Sequence, residues 1–320
     1  MEYRSLGAHG PKVSAIALGS ASFGGTSEYA TRDQKTVDAV VGVALDAGVN
    51  LFDTAALYSG GRSEEMLGEA LRGKRHKALI ATKYREFGPW TKEDILARLR
   101  ESLKRLATDH IDLFQMHWPK NDMTTEDADI MADAFEQAIR DGLTRFVGVS
   151  NFRINHLRLL SKRARTLLVS NQVPYNLLDR FYDTEGATEF CARHGISYIA
   201  YSPSAHGMLS GAYGPENRPT SGPLAESPWT HADVYPETVK VIEEVMAVAR
   251  ECHRPPVQVA LQWVISRKIV ASAIVGTRNV EHLTQDLGAL EWKLDPALAR
   301  RLDRAGLSCQ QFLDKSPAKL

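Results

Sequence analysis

Residues 50–71 read NLFDTAALYSGGRSEEMLGEAL, and the hydrophobic pattern changes half-way along this stretch. It begins as a short apolar run that is typical of a buried strand and ends with the spacing of an amphipathic helix. Asp53 lies at the end of the apolar run, and Tyr58 lies in the loop that follows. The stretch therefore predicts one strand–helix unit of an α/β protein, with two ionisable side chains at its junction.

The same alternation extends along the whole chain. Its eight apolar runs are near-continuous, which is typical of parallel strands covered by helices. They are VSAIALGS (13–20), NLFDTA (50–55), ALIATK (78–83), DLFQMH (112–117), RFVGVS (145–150), LVSNQV (168–173), SYIAYS (197–202) and ASAIVG (271–276). Eight such units predict a (β/α)8 TIM barrel as a single domain over residues 1–320. An open doubly wound sheet is the alternative, but no Gly-x-Gly-x-x-Gly stretch lies between the first strand and the first helix.

Local signals define several boundaries and two additions to the barrel. Thr91 is placed as a helix N-cap, Gly48 suits the end of the first helix, and Pro256 suits the first turn of a later one. Residues 3–14 predict an N-terminal β-hairpin before the first barrel strand. Residues 206–236, rich in Gly, Pro and Ser, predict a long insert loop after the seventh barrel strand, either an active-site lid or a disordered insert.

Composition describes an ordinary globular chain of 320 residues. Lys plus Arg and Asp plus Glu are equal at 39 each, so no bulk charge favours nucleic acid or an acidic membrane. The three cysteines are too widely spaced for a disulfide framework or metal-ligand pairs. The first ten residues lack the apolar core of a signal peptide, and no apolar stretch approaches the roughly 20 residues that span a bilayer. We expect a cytoplasmic protein without a metal and without a nucleic-acid or membrane partner; its oligomeric state is not predicted.

Proton-active side chains follow the predicted strands at their carboxyl ends, where barrels of this class carry their chemistry. Asp53 ends the second strand, Lys83 the third and His117 the fourth, while Tyr58 lies in the second loop. Each of these four residues, the strand-end cluster, also has an ordinary role as a turn, cap or surface residue, and each alone is a weak signal. Their joint placement on consecutive strands predicts an active site.

The strand-end cluster suits the donation of a proton. A phenol with an ordinary pKa of about 10 is a poor acid at neutral pH, and a nearby lysine ammonium lowers that pKa. An aspartate stabilises the ammonium, whose burial would otherwise be costly. A histidine can hydrogen-bond a substrate carbonyl and orient it towards the acid. Tyr58, Lys83, Asp53 and His117 therefore predict protonation of a developing alkoxide.

Over essentially its whole length, the chain resembles the aldo-keto reductase superfamily. The matching stretches occur in the family's order: NLFDTAALY with GRSEEMLGEAL, ATK, QMHWP, FVGVSNF, NQVPYN, YSPSAHGMLSG and AIVGTRNVEHL. The resemblance is to short-loop, bacterial-type members and to the branch related to potassium-channel β subunits. It implies a (β/α)8 barrel that binds NAD(P)H without a Rossmann fold or a metal, and that reduces carbonyls to alcohols or runs in reverse.

The resemblance also implies roles for individual residues. Asp53, Tyr58, Lys83 and His117 correspond to the catalytic tetrad of the family, with Tyr58 as the general acid. The residues implied for the nicotinamide end of the cofactor are Ser20, Ala21 and Asp53 near the ribose, Ser150, Asn151 and Gln172 at the carboxamide, and Tyr201 against the ring. The segment implied for the pyrophosphate contains Ser202, Pro203, Ser204 and Gly207, and the residues implied for the adenosine end are Gly276, Arg278, His282 and Asp286.

The residues implied for the adenosine end bear on the choice between NADPH and NADH. A guanidinium pairs well with phosphate, so Arg278 implies recognition of a 2′-phosphate and favours NADPH over NADH. The family commonly has Gln and Asn where this chain has His282 and Asp286. An ionised Asp286 accepts hydrogen bonds but donates none, and its charge near Arg278 would weaken the preference for NADPH. NADH therefore stays open as a cofactor.

Loop aromatics predict the substrate wall. The three residues assigned to it are Phe23, Tyr29 and Trp118, and the further candidates are Tyr84, Trp90 and the part of the long insert loop that holds Trp229 and His231. Three functions stay open: an NADPH-dependent reductase of aldehydes or ketones, an NAD(P)+-dependent sugar or secondary-alcohol dehydrogenase, and a cofactor-sensing regulatory subunit. In each case the partner is a small carbonyl or alcohol, or the cofactor itself.

Overall fold

The computed structural model describes residues 1–25, 30–84 and 90–316. Within these residues, eight parallel strands form a closed barrel and two further strands form an antiparallel hairpin. The strands are β1 Tyr3–Ser5, β2 Lys12–Ser14, β3 Ile16–Gly19, β4 Leu51–Asp53, β5 Leu79–Tyr84, β6 Ile111–Met116, β7 Thr144–Ser150, β8 Leu168–Pro174, β9 Ser197–Tyr201 and β10 Val270–Gly276. The barrel order is β10–β3–β4–β5–β6–β7–β8–β9, and the hairpin is β1–β2. The predicted (β/α)8 barrel with an N-terminal hairpin is confirmed.

Helices connect the strands around the outside of the barrel. They are α1 Gln34–Asp46, α2 Arg62–Ala70, α3 Lys92–Arg105, α4 Thr125–Arg140, α5 Ile154–Leu159, α6 Lys162–Leu167, α7 Phe181–Thr184, α8 Ala187–Arg193, α9 Gly222–Ala225, α10 Tyr235–Cys252, α11 Pro256–Ile265, α12 Val280–Leu287 and α13 Pro296–Leu313. Short 3-10 turns cover Tyr58–Gly61, Arg75–Lys77, Pro228–Thr230 and Gly288–Glu291. In the described part of the chain, no helix combines the length and hydropathy that a bilayer crossing requires.

The predicted helix boundaries are confirmed. The Thr91 side chain accepts a hydrogen bond from the backbone N–H of Asp94 at 3.1 Å and so caps α3. Gly48 has a φ of 85°, and its N–H donates to Leu45 O just after the end of α1. Pro256 is the first residue of α11.

The first apolar run, residues 13–20, is divided between the two sheets. Val13 pairs with Arg4 in the hairpin, and only Ile16–Gly19 joins the barrel. The chain turns at Ser14, whose Oγ donates to Ile16 O at 2.7 Å and whose N–H donates to the side chain of Asn50. Hydrophobicity alone cannot locate this division, because the residues on both sides of it are buried.

The hairpin closes the amino-terminal end of the barrel. Leu6 and Val13 are fully buried and pack with Ala17, Leu51 and Val169 of the barrel strands. A larger apolar cluster fills the space between the strands and the helices. With the amino-terminal end filled by apolar side chains, the carboxyl ends of the strands are left as the open end of the barrel.

The long insert loop after the seventh barrel strand connects β9 to α10 and packs against the barrel. Trp229 is buried in it and donates its indole N–H to Leu178 O at 3.1 Å. The hydroxyl of Thr230 donates to Leu224 O at 2.9 Å, which joins α9 to the following 3-10 turn. These contacts bring one side of the loop to the carboxyl ends of the strands.

Candidate active site

The carboxyl ends of the barrel strands open into a cavity of about 1070 Å³. It extends from Tyr58 and His117, past the segment that follows β9, to α12. Other lining residues named by the sequence are Ala21, Asp53, Trp118, Ser150, Asn151, Gln172, Tyr201, Ser202, Pro203, Ser204, Gly207, Gly276, His282 and Asp286. Residues separated by more than 200 positions along the chain therefore share one cavity.

A buried ion pair lies at one end of this cavity. Neighbouring strands β4 and β5 place Asp53 opposite Ala81, and Lys83 follows two residues later. Lys83 Nζ lies 2.6 Å from Asp53 Oδ1 and donates to Thr54 O at 2.8 Å. The Lys83 side chain is 0% exposed and that of Asp53 is 4% exposed. Charges buried this deeply are stable only when paired and hydrogen-bonded, as both are here.

Tyr58 joins the ion pair from the loop between β4 and α2. Lys83 Nζ lies 3.4 Å from the Tyr58 hydroxyl, and the His117 ring packs edge-on against the phenol with ring centroids 5.7 Å apart. Ser59, Gly60 and Gly61 all have positive φ, which turns the chain sharply from the tyrosine into α2. The structure therefore brings all four members of the strand-end cluster together.

The ionisation of Lys83 is set by opposing effects. Burial disfavours its ammonium, but the neighbouring Asp53 and Tyr58 outweigh burial and raise the pKa of Lys83 above its ordinary value. The ammonium therefore keeps its charge through the neutral range. A permanent positive charge next to the phenol stabilises the negative charge that the phenol acquires when its proton leaves.

Gln172 holds the second oxygen of the same carboxylate. Its Nε2 donates to Asp53 Oδ2 at 2.7 Å. The two residues lie on β4 and β8, which are four strands apart in the barrel order, so this hydrogen bond crosses the mouth of the barrel. Asp53 is thus fixed from two sides, by Lys83 and by Gln172.

Ser150, Asn151 and Tyr201 form a second set of cross-links beside Gln172. The Ser150 hydroxyl donates to Gln172 O at 2.8 Å, and Asn151 Nδ2 donates to His117 O at 2.9 Å. The Tyr201 hydroxyl donates to Asn151 Oδ1 at 2.9 Å, and burial raises the pKa of Tyr201, so that it stays a neutral donor. Asn151 has a φ of 64°, a conformation in which Asn is tolerated better than most residues.

The segment after β9 lines the middle of the cavity in a strained conformation. Ser202, Ala205 and His206 have φ angles of 51°, 52° and 54°, and Gly207 has 92°. Non-glycine residues in this region cost about 1–3 kcal/mol each and cluster at functional sites. Backbone N–H groups in such turns, together with serine hydroxyls, can form a concave site for an anion.

The opposite end of the cavity lies against α12. His282 and Asp286 are one helical turn apart, so both face the cavity, and burial raises the pKa of Asp286 to about 7. Arg278 is exposed, lies outside the cavity wall and donates to Ala30 O at 2.8 Å. In the described ranges, no group of three His, Cys, Asp or Glu side chains is arranged to hold a metal ion.

A family model described as Aldo/keto reductase family matches residues 15–306. The chain belongs to this family. It is an oxidoreductase of the aldo/keto reductase type, and its barrel is the fold of that family. Members act on small molecules with a nicotinamide cofactor, and an elongated cavity with the ion pair at one end and α12 at the other fits such a dinucleotide.

Named relatives of this aldo/keto reductase differ in function. An uncharacterized oxidoreductase YrpG of Bacillus subtilis is 33% identical, with 95% of each chain covered. The chloroplastic pyridoxal reductase of Arabidopsis thaliana is 33% identical over 79% of this chain and 71% of its own. A putative voltage-gated potassium channel subunit beta of Schizosaccharomyces pombe is 28% identical over 94% and 92%.

Solved structures give the same picture. The thermostable aldo-keto reductase Tm1743, in complex with the inhibitor epalrestat, superposes with a TM-score of 0.79 at 28% identity, covering 95% of this chain and 100% of that one. The holo form of aldo-keto reductase AKR11C1 from Bacillus halodurans gives 0.75 at 27% identity, covering 95% and 96%.

Besides Arg278, two residues assigned to the cofactor or the substrate from the sequence do not line the cavity of this aldo/keto reductase. Phe23 is 0% exposed and packs in the core between strands and helices, so its assignment as a substrate contact is wrong. Ser20 is also buried, and its hydroxyl donates to Asp53 O at 3.0 Å. Its neighbours Gly19 and Ala21 line the cavity instead. A loop position next to a strand end does not reveal which way the side chain packs.

The remaining aromatic candidates separate clearly. Trp118 lines the cavity and is 44% exposed, whereas Trp90 and Trp229 are buried and His231 lies outside the cavity wall. Tyr84 is buried too, and its hydroxyl donates to Asp94 at 2.7 Å. Tyr29 lies outside the described residues.

Several lining residues received no role from the sequence, although His206, Ser210, Ile274, Val275 and Thr277 lie within its matching stretches. The lining residues without a role are Ser22, His206, Ser210, Tyr213, Leu224, Val257, Leu261, Ile274, Val275, Thr277 and Gln285. Thr277 and Gln285 adjoin assigned positions and could have been included by proximity. Tyr213 and Leu224 lie within the long insert loop, whose packing over the barrel gives no local signal.

Proposed function

We propose that the protein reduces an aldehyde or ketone to an alcohol with NADPH, and that Tyr58 is the general acid. The observation that carries this proposal is the contact chain at the end of the cavity. Asp53 Oδ1 lies 2.6 Å from Lys83 Nζ, which lies 3.4 Å from the Tyr58 hydroxyl. The Tyr58 phenol at the cavity wall therefore lies next to the buried Lys83 ammonium, which keeps its charge.

Each residue has a definite part in this reaction. Tyr58 transfers its hydroxyl proton to the carbonyl oxygen, and a bound reduced nicotinamide would supply the hydride for the carbonyl carbon. Lys83 stabilises the phenolate that remains, and Asp53 holds Lys83 in place. His117, whose ring packs against Tyr58, orients the carbonyl oxygen towards the phenol.

We assign the cofactor to the length of the cavity. Gln172 uses its Nε2 for Asp53, which leaves its Oε1 to accept from the carboxamide of the nicotinamide. Ser150 and Asn151 would hold the same carboxamide, and Tyr201 would stack against the ring. Ser20 would act only through its neighbours Gly19 and Ala21, which would hold the ribose, since its own hydroxyl is directed to Asp53 O.

Ser202, Pro203, Ser204 and Gly207, together with α12, would hold the other half of the cofactor. The serine hydroxyls and the left-handed backbone suit a diphosphate. Arg278 stands outside the wall, where a guanidinium that leaves Ala30 O can pair with a 2′-phosphate. This arrangement favours NADPH.

Two other functions are supported by the same residues. The strand-end cluster serves oxidation of an alcohol with NADP+ equally well, because the proton and hydride transfers are reversible. The likeness to a putative potassium channel subunit beta favours a cofactor-sensing regulatory subunit. In that case the cofactor would bind without appreciable turnover.

Turnover of a carbonyl panel, followed by NADPH absorbance, tests the proposal. Tyr58→Phe is expected to lower kcat by about 10²–10⁴, the usual contribution of a positioned general acid. The matched control is Tyr213→Phe, which removes another hydroxyl from the same cavity and should leave kcat within a few-fold. A Tyr58→Phe enzyme as active as the control would rule out the acid role, and tight NADPH binding by a wild type without turnover would favour the regulatory function.

A further inference from the structure

The cavity wall has few positive charges for a site that binds an anionic dinucleotide. Among the described residues that line it there is no Lys or Arg, and the carboxylates there are Asp53 and Asp286. Asp53 is neutralised by Lys83 directly behind it. Asp286 makes no ion pair and no side-chain hydrogen bond within the described part of the chain.

Burial alone, and no neighbouring charge, shifts the pKa of Asp286. It is partly buried on α12, beside Gln285 and one turn after His282. The titratable groups of the packed elements are Lys35, Asp38 and Asp46 on α1, Glu281 and His282 on α12, Glu291 at the end of the 3-10 turn Gly288–Glu291, and none on α11. None of these contributes to the shift, since burial is the sole cause that raises the pKa of Asp286 to about 7. The pKa of the Asp286 carboxyl therefore lies near neutrality, well above its ordinary value.

The two protonation states offer different chemistry to the cofactor. A protonated carboxyl donates and accepts hydrogen bonds and carries no charge, so it can stand beside a phosphate. An ionised carboxylate only accepts, and it repels a nearby dianion while accepting well from a ribose hydroxyl. An acidic residue at the adenosine ribose is how many dinucleotide sites select NAD over NADP.

We propose that Asp286 makes the choice between the two cofactors depend on pH, admitting the 2′-phosphorylated dinucleotide when protonated and favouring the unphosphorylated one when ionised. This inference rests on one part of the proposed function, which is that the cavity binds a nicotinamide dinucleotide with its adenosine at α12. Protonation of Asp286 is therefore coupled to NADP binding and not to the chemical step.

The sign of the effect follows from linkage. A nearby dianion disfavours the carboxylate, so bound NADP raises the pKa of Asp286 above its free value, and NADP binding weakens as pH rises. NAD lacks the 2′-phosphate, so protonation of Asp286 does not make its binding weaken as pH rises. The ratio of the NADP+ Kd to the NAD+ Kd should therefore rise about tenfold between pH 7 and pH 9. Both cofactors share the diphosphate and the nicotinamide. A group that titrates near those parts, for instance His206, therefore changes both Kd values equally and leaves their ratio unchanged.

Binding measurements on the full chain test the inference. The Kd of each oxidised cofactor is measured by titration calorimetry at pH 7, 8 and 9 and constant ionic strength. Asp286→Asn, a neutral side chain of the same shape, should make the ratio independent of pH. His282→Gln is the matched control, because a titrating His282 would produce the same trend; the trend should persist in it. A trend that survives in Asp286→Asn, or disappears in His282→Gln, would overturn the assignment.

A second measurement needs no variant. Calorimetry at pH 8 in two buffers of different ionisation enthalpy counts the protons taken up on binding. NADP+ should take up about half a proton more than NAD+, and equal uptake would refute the inference. If NADP+ bound at no pH, this inference and the cofactor assignment would fail together. Measurable binding with a flat ratio would refute this inference alone and leave the proposed reductase intact.

Discussion

The two ends of the cavity are built in opposite ways. At the strand-end cluster, Lys83 and Asp53 are buried, and hydrogen bonds from both Lys83 and Gln172 hold the carboxylate. At α12, Asp286 is only partly buried and has no charged partner in the described structure, and Arg278 lies outside the wall. A permanently charged, rigid set suits a chemical step that requires fixed geometry. A weakly held set suits a binding step whose strength can vary with conditions.

Lys83→Met should break this contrast most strongly. Loss of the ammonium leaves Asp53 buried without its partner, which costs about 3–5 kcal/mol of the free energy of unfolding, and removes the charge that stabilises the phenolate. We expect kcat to fall by about three orders of magnitude or more. Chemical denaturation and steady-state kinetics measure the two effects.

The double variant Asp53→Asn with Lys83→Met is the control for stability. It removes both charges, so the free energy of unfolding should recover most of the loss while activity stays low. Recovery of activity in the double variant would mean that Lys83 matters only for folding.

Gln172→Leu tests whether the second hydrogen bond to Asp53 is part of the rigid end. Loss of a donor to a charged group costs about 1.5–3 kcal/mol, and a freed carboxylate would also loosen Lys83. We expect kcat to fall about tenfold or more, together with a weaker Kd for the cofactor. Ser210→Ala, which changes another polar residue of the same wall, should change neither by more than a few-fold. A Gln172→Leu enzyme that matched this control would show that Lys83 alone fixes Asp53.

Arg278→Ala tests the α12 end of the cavity and should have the smallest effect of the three variants. Removal of a charge-assisted pair to a 2′-phosphate should raise the Kd of NADPH about tenfold. The Kd of NADH should change little. Arg72→Ala, an exposed arginine paired with Glu69 on the outer surface, is the control. Equal effects on both cofactors would show that Arg278 does not contact the 2′-phosphate.

Much of this organisation was readable from the sequence because it depends on local patterns. The apolar runs predicted the strands of the barrel, and the helix caps at Thr91 and Gly48 were identified from single residues and their neighbours. The strand-end cluster was also predictable, since parallel strands bring their carboxyl ends to one rim. Asp53 ends β4, Lys83 lies one residue before the end of β5, and His117 directly follows β6, so their proximity follows from topology.

Other features depend on packing between distant segments. The hydrogen bond from Gln172 to Asp53 joins residues 119 positions apart and exists because β4 and β8 face each other across the closed barrel. Phe23 and Trp118 look alike in sequence as loop aromatics next to a strand end. One is buried under the helices and the other stands at the cavity.

The sequence by itself determined the fold class, the family and the residue types at the rim, because hydrophobic periodicity and short motifs are properties of neighbouring residues. Only the tertiary structure decided which side chains enter the cavity and how their protons are held. The pKa of Lys83 depends on burial and on its distance to Asp53 and Tyr58, and the pKa of Asp286 depends on burial. Those quantities arise only when segments far apart in the chain come together.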